Sequence, residues 1–136
     1  MYIDGKVWIG NNDQGERIGI IPKMVNRHGL VAGATGTGKT VTLKVMAETF
    51  SDMGIPVFMA DVKGDIAGMM NPGTDSEDMQ KRIEKFNLTN AGFAYKGYPV
   101  TLWDIYGVKG IQLRTTISEM GPMLLARILE IGRAHV

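Results

Sequence analysis

Apolar residues between 39 and 53 fall at Leu43, Met46, Ala47 and Phe50, the i, i+3, i+4, i+7 spacing of a helix with one buried face. Gly54 is the residue that stops it. The apolar runs on either side lack that period. Leu30-Val31-Ala32 is a short run, and 55–60 is continuous with Pro56 near its start and no alternation, the pattern of strands covered on both faces. Strand, helix and strand in that order form a right-handed βαβ unit. Earlier in the chain, 6–10 and 17–21 are β-prone runs joined by Asn11-Asn12-Asp13-Gln14-Gly15, so a hairpin is expected there. Residues 22–27 connect it to the rest. After a loop over 64–73, Thr74-Asp75-Ser76-Glu77 supplies a capping box for a helix that buries Met79, Ile83 and Phe86 and ends near Asn87. A third strand is expected at 98–103 and a turn at 105–110. The last helix begins near Ser118, takes Pro122 in its first turns and packs Leu124, Leu125, Ile128 and Leu129. The pattern as a whole is α/β: a parallel sheet flanked by helices, preceded by a short N-terminal β-hairpin over 1–22.

Composition narrows the setting. At 136 residues the chain can bury about two-thirds of its unfolded surface, enough for one core. No apolar run approaches the ~20 residues of a membrane span, and Met-Tyr-Ile-Asp-Gly lacks the basic and apolar segments of a signal peptide. No membrane partner and a cytoplasmic location are the expectations. The chain has no cysteine, which excludes disulfides and thiolate metal sites. Its net charge of +1 provides no basic field with which to argue for nucleic acid. Ten methionines are better read as packing, since Met46, Met53, Met59 and Met123 fall at core-like positions.

The candidate chemistry lies at 33–40, GATGTGKT, which fits G-x-x-x-x-G-K-[ST]. Gly33, Gly36 and Gly38 allow the tight turns that point successive N–H groups at anionic oxygens. Ala34, Thr35, Thr37 and Val41 complete the set expected around the phosphates. Lys39 would reach the β- and γ-phosphates, Thr40 would place its hydroxyl on Mg²⁺, and the helix starting there adds its positive end. ATP and Mg²⁺ are therefore the expected ligands.

Hydrolysis needs further carboxylates. Val57-Phe58-Met59-Ala60-Asp61 and Val100-Thr101-Leu102-Trp103-Asp104 each resemble the four apolar residues plus Asp of a magnesium-holding strand, the second with Thr101 among them, and neither aspartate is followed by Glu. Asp104 has the plainer alternative of capping the turn at Tyr106-Gly107. Asp61 sits at a strand end of the kind where open parallel sheets bind ligands, with Lys63 and Asp65 just after it. There it could touch the water shell of Mg²⁺, so Asp61 and Asp65 join Lys39 as candidate catalytic residues. His28 reads as structural, and Arg27 and Arg114 as solvated surface charges.

Asn26-Arg27-His28-Gly29-Leu30, GATGTGKT, VTLK and PVFMADVKGDIAG at 56–68 together resemble a bacterial family of HerA-like P-loop ATPases typified by YjgR. WDIYG at 103–107 and RTTISEMGPMLLARIL at 114–129 extend the resemblance. It implies a RecA-like core over 23–130, ATP and Mg²⁺, and kinship with motors that act on DNA as hexameric rings. By position, Lys39 and Thr40 bind phosphate and metal, and Asp61 and Asp65 match the acidic loop after the second core strand. The family's magnesium-holding Asp-Glu strand, and the arginine that enters a neighbour's site, should lie beyond residue 136. Residues 131–136 break the helical pattern and back-translate into the start of a common sequencing adapter. The expectation is thus the N-terminal fragment of a longer ATPase, its sheet incomplete, with 131–136 as a non-native tail. A different class stays open: a small P-loop kinase or nucleotide-binding switch without DNA activity. So does a phosphate-binding module with no turnover.

Overall fold

The computed structural model describes residues 1–129, so the expected tail at 131–136 lies outside them. The chain divides into two units, Met1–Val100 and a second from Thr101 onward.

In the first unit, β1 (Tyr2–Ile3), β2 (Lys6–Asn11) and β3 (Arg17–Ile20) form an antiparallel sheet in that order. Asp4 and Gly5 both take positive φ, the two-residue turn whose twist suits a hairpin, and Asp-Gly is its usual sequence. That first hairpin was legible in the residues and goes unmentioned by the hydrophobic pattern. The expected second hairpin is present. Its turn is held by Asn12, whose Oδ1 accepts from the N–H of Gln14 (3.1 Å) and Glu16 (2.8 Å) while its Nδ2 donates to Glu16 Oε2 at 2.8 Å. A register shift between Trp8 and Gly10 bends β2.

Helix α1 (Lys39–Asp52) packs on β2 and builds the core there. Val7 and Trp8 from the strand and Ala47 and Thr49 from the helix are the buried residues. Trp8 satisfies its indole N–H on Gly10 O (2.7 Å) and Asn11 Oδ1 (2.8 Å), and the Arg17 guanidinium lies 5.2 Å from its ring centroid. Thr49 donates to Val45 O at 2.6 Å and accepts from the Met1 ammonium, so this buried hydroxyl is paired both ways. The helix ends as its period predicts, with Gly54 at φ 74°.

The strands expected at 30–32 and 55–60 carry no ladder among the described residues, and of the one expected at 98–103 only Trp103 does. Leu30 and Phe58 are each 90% exposed. The reason is physical: a run apolar on both faces becomes a strand only when neighbours pair its backbone and cover both sides. Helix α2 (Glu77–Lys85) forms, but its cap is Ser76, whose Oγ accepts from Met79 N at 3.3 Å; the capping box expected from Thr74 does not form. Asp75 instead accepts from Gln80 Nε2 (2.7 Å) and Tyr95 Oη (2.9 Å), tying the helix start to a residue 20 positions on.

In the second unit, β4 (Trp103–Asp104) pairs in parallel with β5 (Ile111–Gln112). So short a parallel pair closes because the intervening loop is tightly folded, and at Gly110 an added Cβ would lie 2.5 Å from the Leu102 carbonyl oxygen. Helix α3 (Ile117–Ile128) starts on a reciprocal capping box between Thr116 and Glu119. Gly121, at φ 69°, breaks the helix just before Pro122, so Pro122 opens a second helical piece rather than sitting inside one. Among the described residues no helix is long and apolar enough to cross a membrane.

Candidate functional site

The loop at 33–40 turns at Gly36 (φ 84°) and Gly38 (φ 90°), a region that costs other residues about 1–2 kcal/mol. Gly33 is required for a different reason. A Cβ there would lie 2.6 Å from Thr37 Oγ1, because Thr37 folds inward to donate to Ala34 O at 2.8 Å. The ammonium of Lys39 reaches back along the loop and donates to the carbonyls of Gly33 (2.8 Å) and Ala34 (2.6 Å). Lysine is thereby parked over the concavity by weak, exposed acceptors.

Gly38 is the N-cap of α1 and provides no side chain to cap it. The N–H groups of Lys39, Thr40 and Val41 meet no acceptor among the described residues; the first backbone bond of the helix is Thr42 N to Gly38 O at 2.9 Å. Helix N-termini carry partial positive charge and favour anions. The Thr40 hydroxyl is exposed and likewise makes no hydrogen bond among those residues. Here a trianionic or tetra-anionic group would find N–H donors, a cation on a flexible stem, and a free hydroxyl.

Asp61 does something else. Its Oδ1 accepts from Gly64 N (2.8 Å) and Asp65 N (3.1 Å), its Oδ2 from Ile66 N (2.8 Å) and Ala67 N (3.2 Å). Desolvation pushes this carboxyl's pKa up, but the four backbone donors together outweigh it and hold the group below the usual aspartate range. All the acceptor positions of the carboxylate are thus occupied by its own loop, which leads into the 3₁₀ turn Ala67–Met70. Asp65 is exposed, and its carboxylate accepts nothing among the described residues. Among those residues no hydrogen bond or ion pair joins the phosphate loop to Asp61 or Asp65.

Asp104, in the second unit, repeats the device. Its carboxylate accepts from the N–H groups of Tyr106 (2.9 Å), Val108 (2.8 Å) and Lys109 (2.8 Å). The donors of Lys109 and Tyr106 chiefly lower its pKa. The turn-capping reading of Asp104 therefore holds. Arg114 donates its Nε and Nη2 to Gln112 Oε1. Among the described residues no group of three or more His, Cys, Asp or Glu side chains converges in a metal-holding cluster.

The sequence pattern also left unread the wall beside the phosphate loop. Segments 73–74 and 92–98, with α2, enclose one side of a cavity whose other side is α1 and β2. Nothing periodic marks those residues, since they come from irregular backbone. The pair Phe93 and Tyr95, edge to face at 5.1 Å, was the available signal, two aromatics in a glycine-interrupted stretch.

No curated protein and no solved structure matches the chain. A family model does, that of the helicase HerA-like C-terminal domain, and it spans residues 6–135, taking in the hairpin, the 33–40 loop and both aspartate loops. With nearly its whole length so matched, the chain belongs to the helicase HerA-like C-terminal family.

Proposed function

We propose that this chain is the ATP-binding part of a HerA-like motor ATPase of the YjgR type, the N-terminal portion of a longer cytoplasmic protein. The observation that carries the reading is the state of the 33–41 loop: uncapped helix N–H groups, with Lys39 held only by two exposed loop carbonyls. Phosphate oxygens are better acceptors for that ammonium than neutral carbonyls, so nucleotide would draw Lys39 off Gly33 and Ala34 onto the β- and γ-phosphates. The backbone of residues 33–41 would wrap the chain of phosphates.

Thr40 suits Mg²⁺. That ion keeps several waters and takes one or two protein groups plus substrate phosphates, so a single free hydroxyl is an adequate protein contribution. When bound, the metal neutralises charge on the phosphates. On the acidic side, Asp61 would set the loop's shape and Asp65 would present its carboxylate to the ion's water shell.

Exposure supports the larger assembly. Leu30, Phe58 and Val62 are 90%, 90% and 97% exposed, and an apolar surface of that kind suits strands awaiting the rest of a RecA-like sheet. Family membership supports a hexameric motor acting on DNA.

The test is Lys39→Ala. In this chain the variant should lose about 10²-fold or more in Mg·ATP affinity with an unchanged circular dichroism spectrum, because a charge-assisted contact to phosphate is removed while the free protein loses only exposed bonds. In the intact ATPase turnover should fall by about 10²–10³. Wild-type affinity in the variant would refute the assignment. The 136-residue chain itself should hydrolyse essentially no ATP, lacking an Asp-Glu strand and a neighbour's arginine.

A further inference from the structure

The two loops argued to meet a nucleotide stand on different elements: 33–41 opens α1, and 61–67 runs into the 3₁₀ turn Ala67–Met70. Among the described residues no hydrogen bond or ion pair joins them, so what fixes one against the other lies elsewhere.

Segment 95–98, in the same unit, touches both. Lys96 donates to Asp52 Oδ1 at 2.6 Å, on the last residue of α1, and its ammonium lies 5.1 Å from the centroid of the Tyr98 ring. Two residues on, Tyr98 N donates to Met69 O at 2.9 Å. Between these ties Gly97 lies against the turn, where an added Cβ would collide with the Met70 carbonyl oxygen and stand 3.1 Å from the carbonyl carbon. The φ of Gly97 is outside the left-handed region, so glycine is needed there for room and not for backbone freedom. Tyr95 adds a third tie, donating from Oη to Asp75 Oδ1 at 2.9 Å beside the start of α2.

These ties differ in weight. The Lys96 and Asp52 side chains are 48% and 38% exposed, and an ion pair in that setting contributes little. The crossing at Gly97 is the stiff part, because backbone packed on backbone has no rotamer to give way. A shift there would pass on: Met69 N donates to Ile66 O at 3.0 Å, and the N–H groups of Ile66 and Ala67 are in turn held by Asp61. Asp65 sits within that loop.

We propose that segment 95–98 is a strut between the end of α1 and the 61–67 loop, with Gly97 and Lys96 as positioning residues for Asp65. The proposal rests on the reading above, in which Asp65 faces the water shell of a metal bound with nucleotide. Groups of a working site have to be held within about 0.5 Å, and a strut of this kind does so without touching the ligand.

Nuclear magnetic resonance on the 136-residue chain tests it, with Mn²⁺·ATP as the probe, since the paramagnetic ion broadens only nuclei near it. In the wild type the side chains of both Thr40 and Asp65 should broaden. Gly97→Ala should speed hydrogen exchange at Gly64, Asp65, Ile66 and Ala67 by about tenfold or more in the free chain, although the substitution is some thirty positions away. With Mn²⁺·ATP added, it should abolish broadening at Asp65 and leave it at Thr40. Lys96→Met keeps the stem and removes the charge, so it should reduce the Asp65 broadening without abolishing it; if Gly97→Ala does not fold, this variant carries the test. Full Asp65 broadening in the folded variants would overturn the strut, and so would loss at Thr40 and Asp65 together, as a general effect on the fold. A wild type broadened at Thr40 alone would also overturn it while leaving the phosphate-loop reading intact. If the wild type broadened at neither residue, the phosphate-loop reading would fail and take this one with it.

Discussion

The loops at 33–41 and 61–67 use the same backbone chemistry to opposite ends. In both, consecutive N–H groups turn to one side, the arrangement that makes a protein backbone bind an anion. The 61–67 loop brings its own anion: Asp61 fills all four donors at 2.8–3.2 Å. The 33–41 loop brings a cation instead, Lys39, and leaves the donors at the start of α1 unanswered among the described residues. The first is complete as a piece of architecture. The second leaves its donors open among the described residues, and Asp104 shows that the chain closes a loop with its own carboxylate elsewhere too. A filled nest and an open one are told apart by the side chain the loop brings with it, a carboxylate ahead of the donors or a lysine among them.

After Lys39→Ala, the largest effect expected on this contrast comes from Gly33→Ala. The added methyl would lie 2.6 Å from Thr37 Oγ1 and force the Thr37 bond to Ala34 O apart. Overpacking of about 1–3 kcal/mol within the loop would weaken Mg·ATP binding about tenfold or more while α1 stays helical. An alanine variant binding as well as wild type would show that the open loop is not the receptor.

Asp61→Asn should act on the filled loop and spare the open one. An amide offers one oxygen where the carboxylate offered two, so two of the four N–H groups at 64–67 lose their acceptor. Hydrogen exchange at Gly64, Asp65, Ile66 and Ala67 should speed up together, with nucleotide affinity of the chain little changed. In the intact ATPase the same variant should impair hydrolysis more than binding, and Asp65→Asn less. Unchanged exchange at all four amides would mean the loop is held by something else.

The smallest effect is a dependence on pH. Asp61 and Asp104 both titrate below the ordinary aspartate range when folded. A depressed folded pKa contributes stability that is fully present above the unfolded value of about 3.9 and is lost as pH falls through the folded one. Both loops should therefore loosen only below about pH 4. Carboxyl ¹³C titration of the two residues is the check, and midpoints at or above about 3.9 would contradict the filled-nest description.

Some of this was legible in the residues because it is local. GATGTGKT prescribes its own turns through glycine's access to positive φ, and the spacing Leu43, Met46, Ala47, Phe50 prescribes α1 without reference to any partner. Asp104 could be read as a turn cap because the donors it accepts lie two to five residues away. Ser76 could not be preferred over Thr74 so readily, since both cap chemistries fit the sequence and the choice was made by Asp75 reaching Tyr95.

What lay beyond the sequence is everything that needs a second segment. The pattern at 55–60 says that the run is apolar on both faces, but a strand exists only where neighbours pair it, and Phe58 stands 90% exposed. The hairpin looked like an appendage; packing Val7 and Trp8 against Ala47 and Thr49 made it half of the core. Asp61 is the exception: its donors lie only three to six residues away, yet its apolar-run-plus-Asp signature reads equally as a metal ligand. The sequence by itself determined the turns of the 33–40 loop, the helix behind it and the other tight turns, whose causes are steric and lie within a few residues. Tertiary structure alone decided where the core sits and which aromatic faces the cavity, because those depend on contacts between residues far apart in the chain.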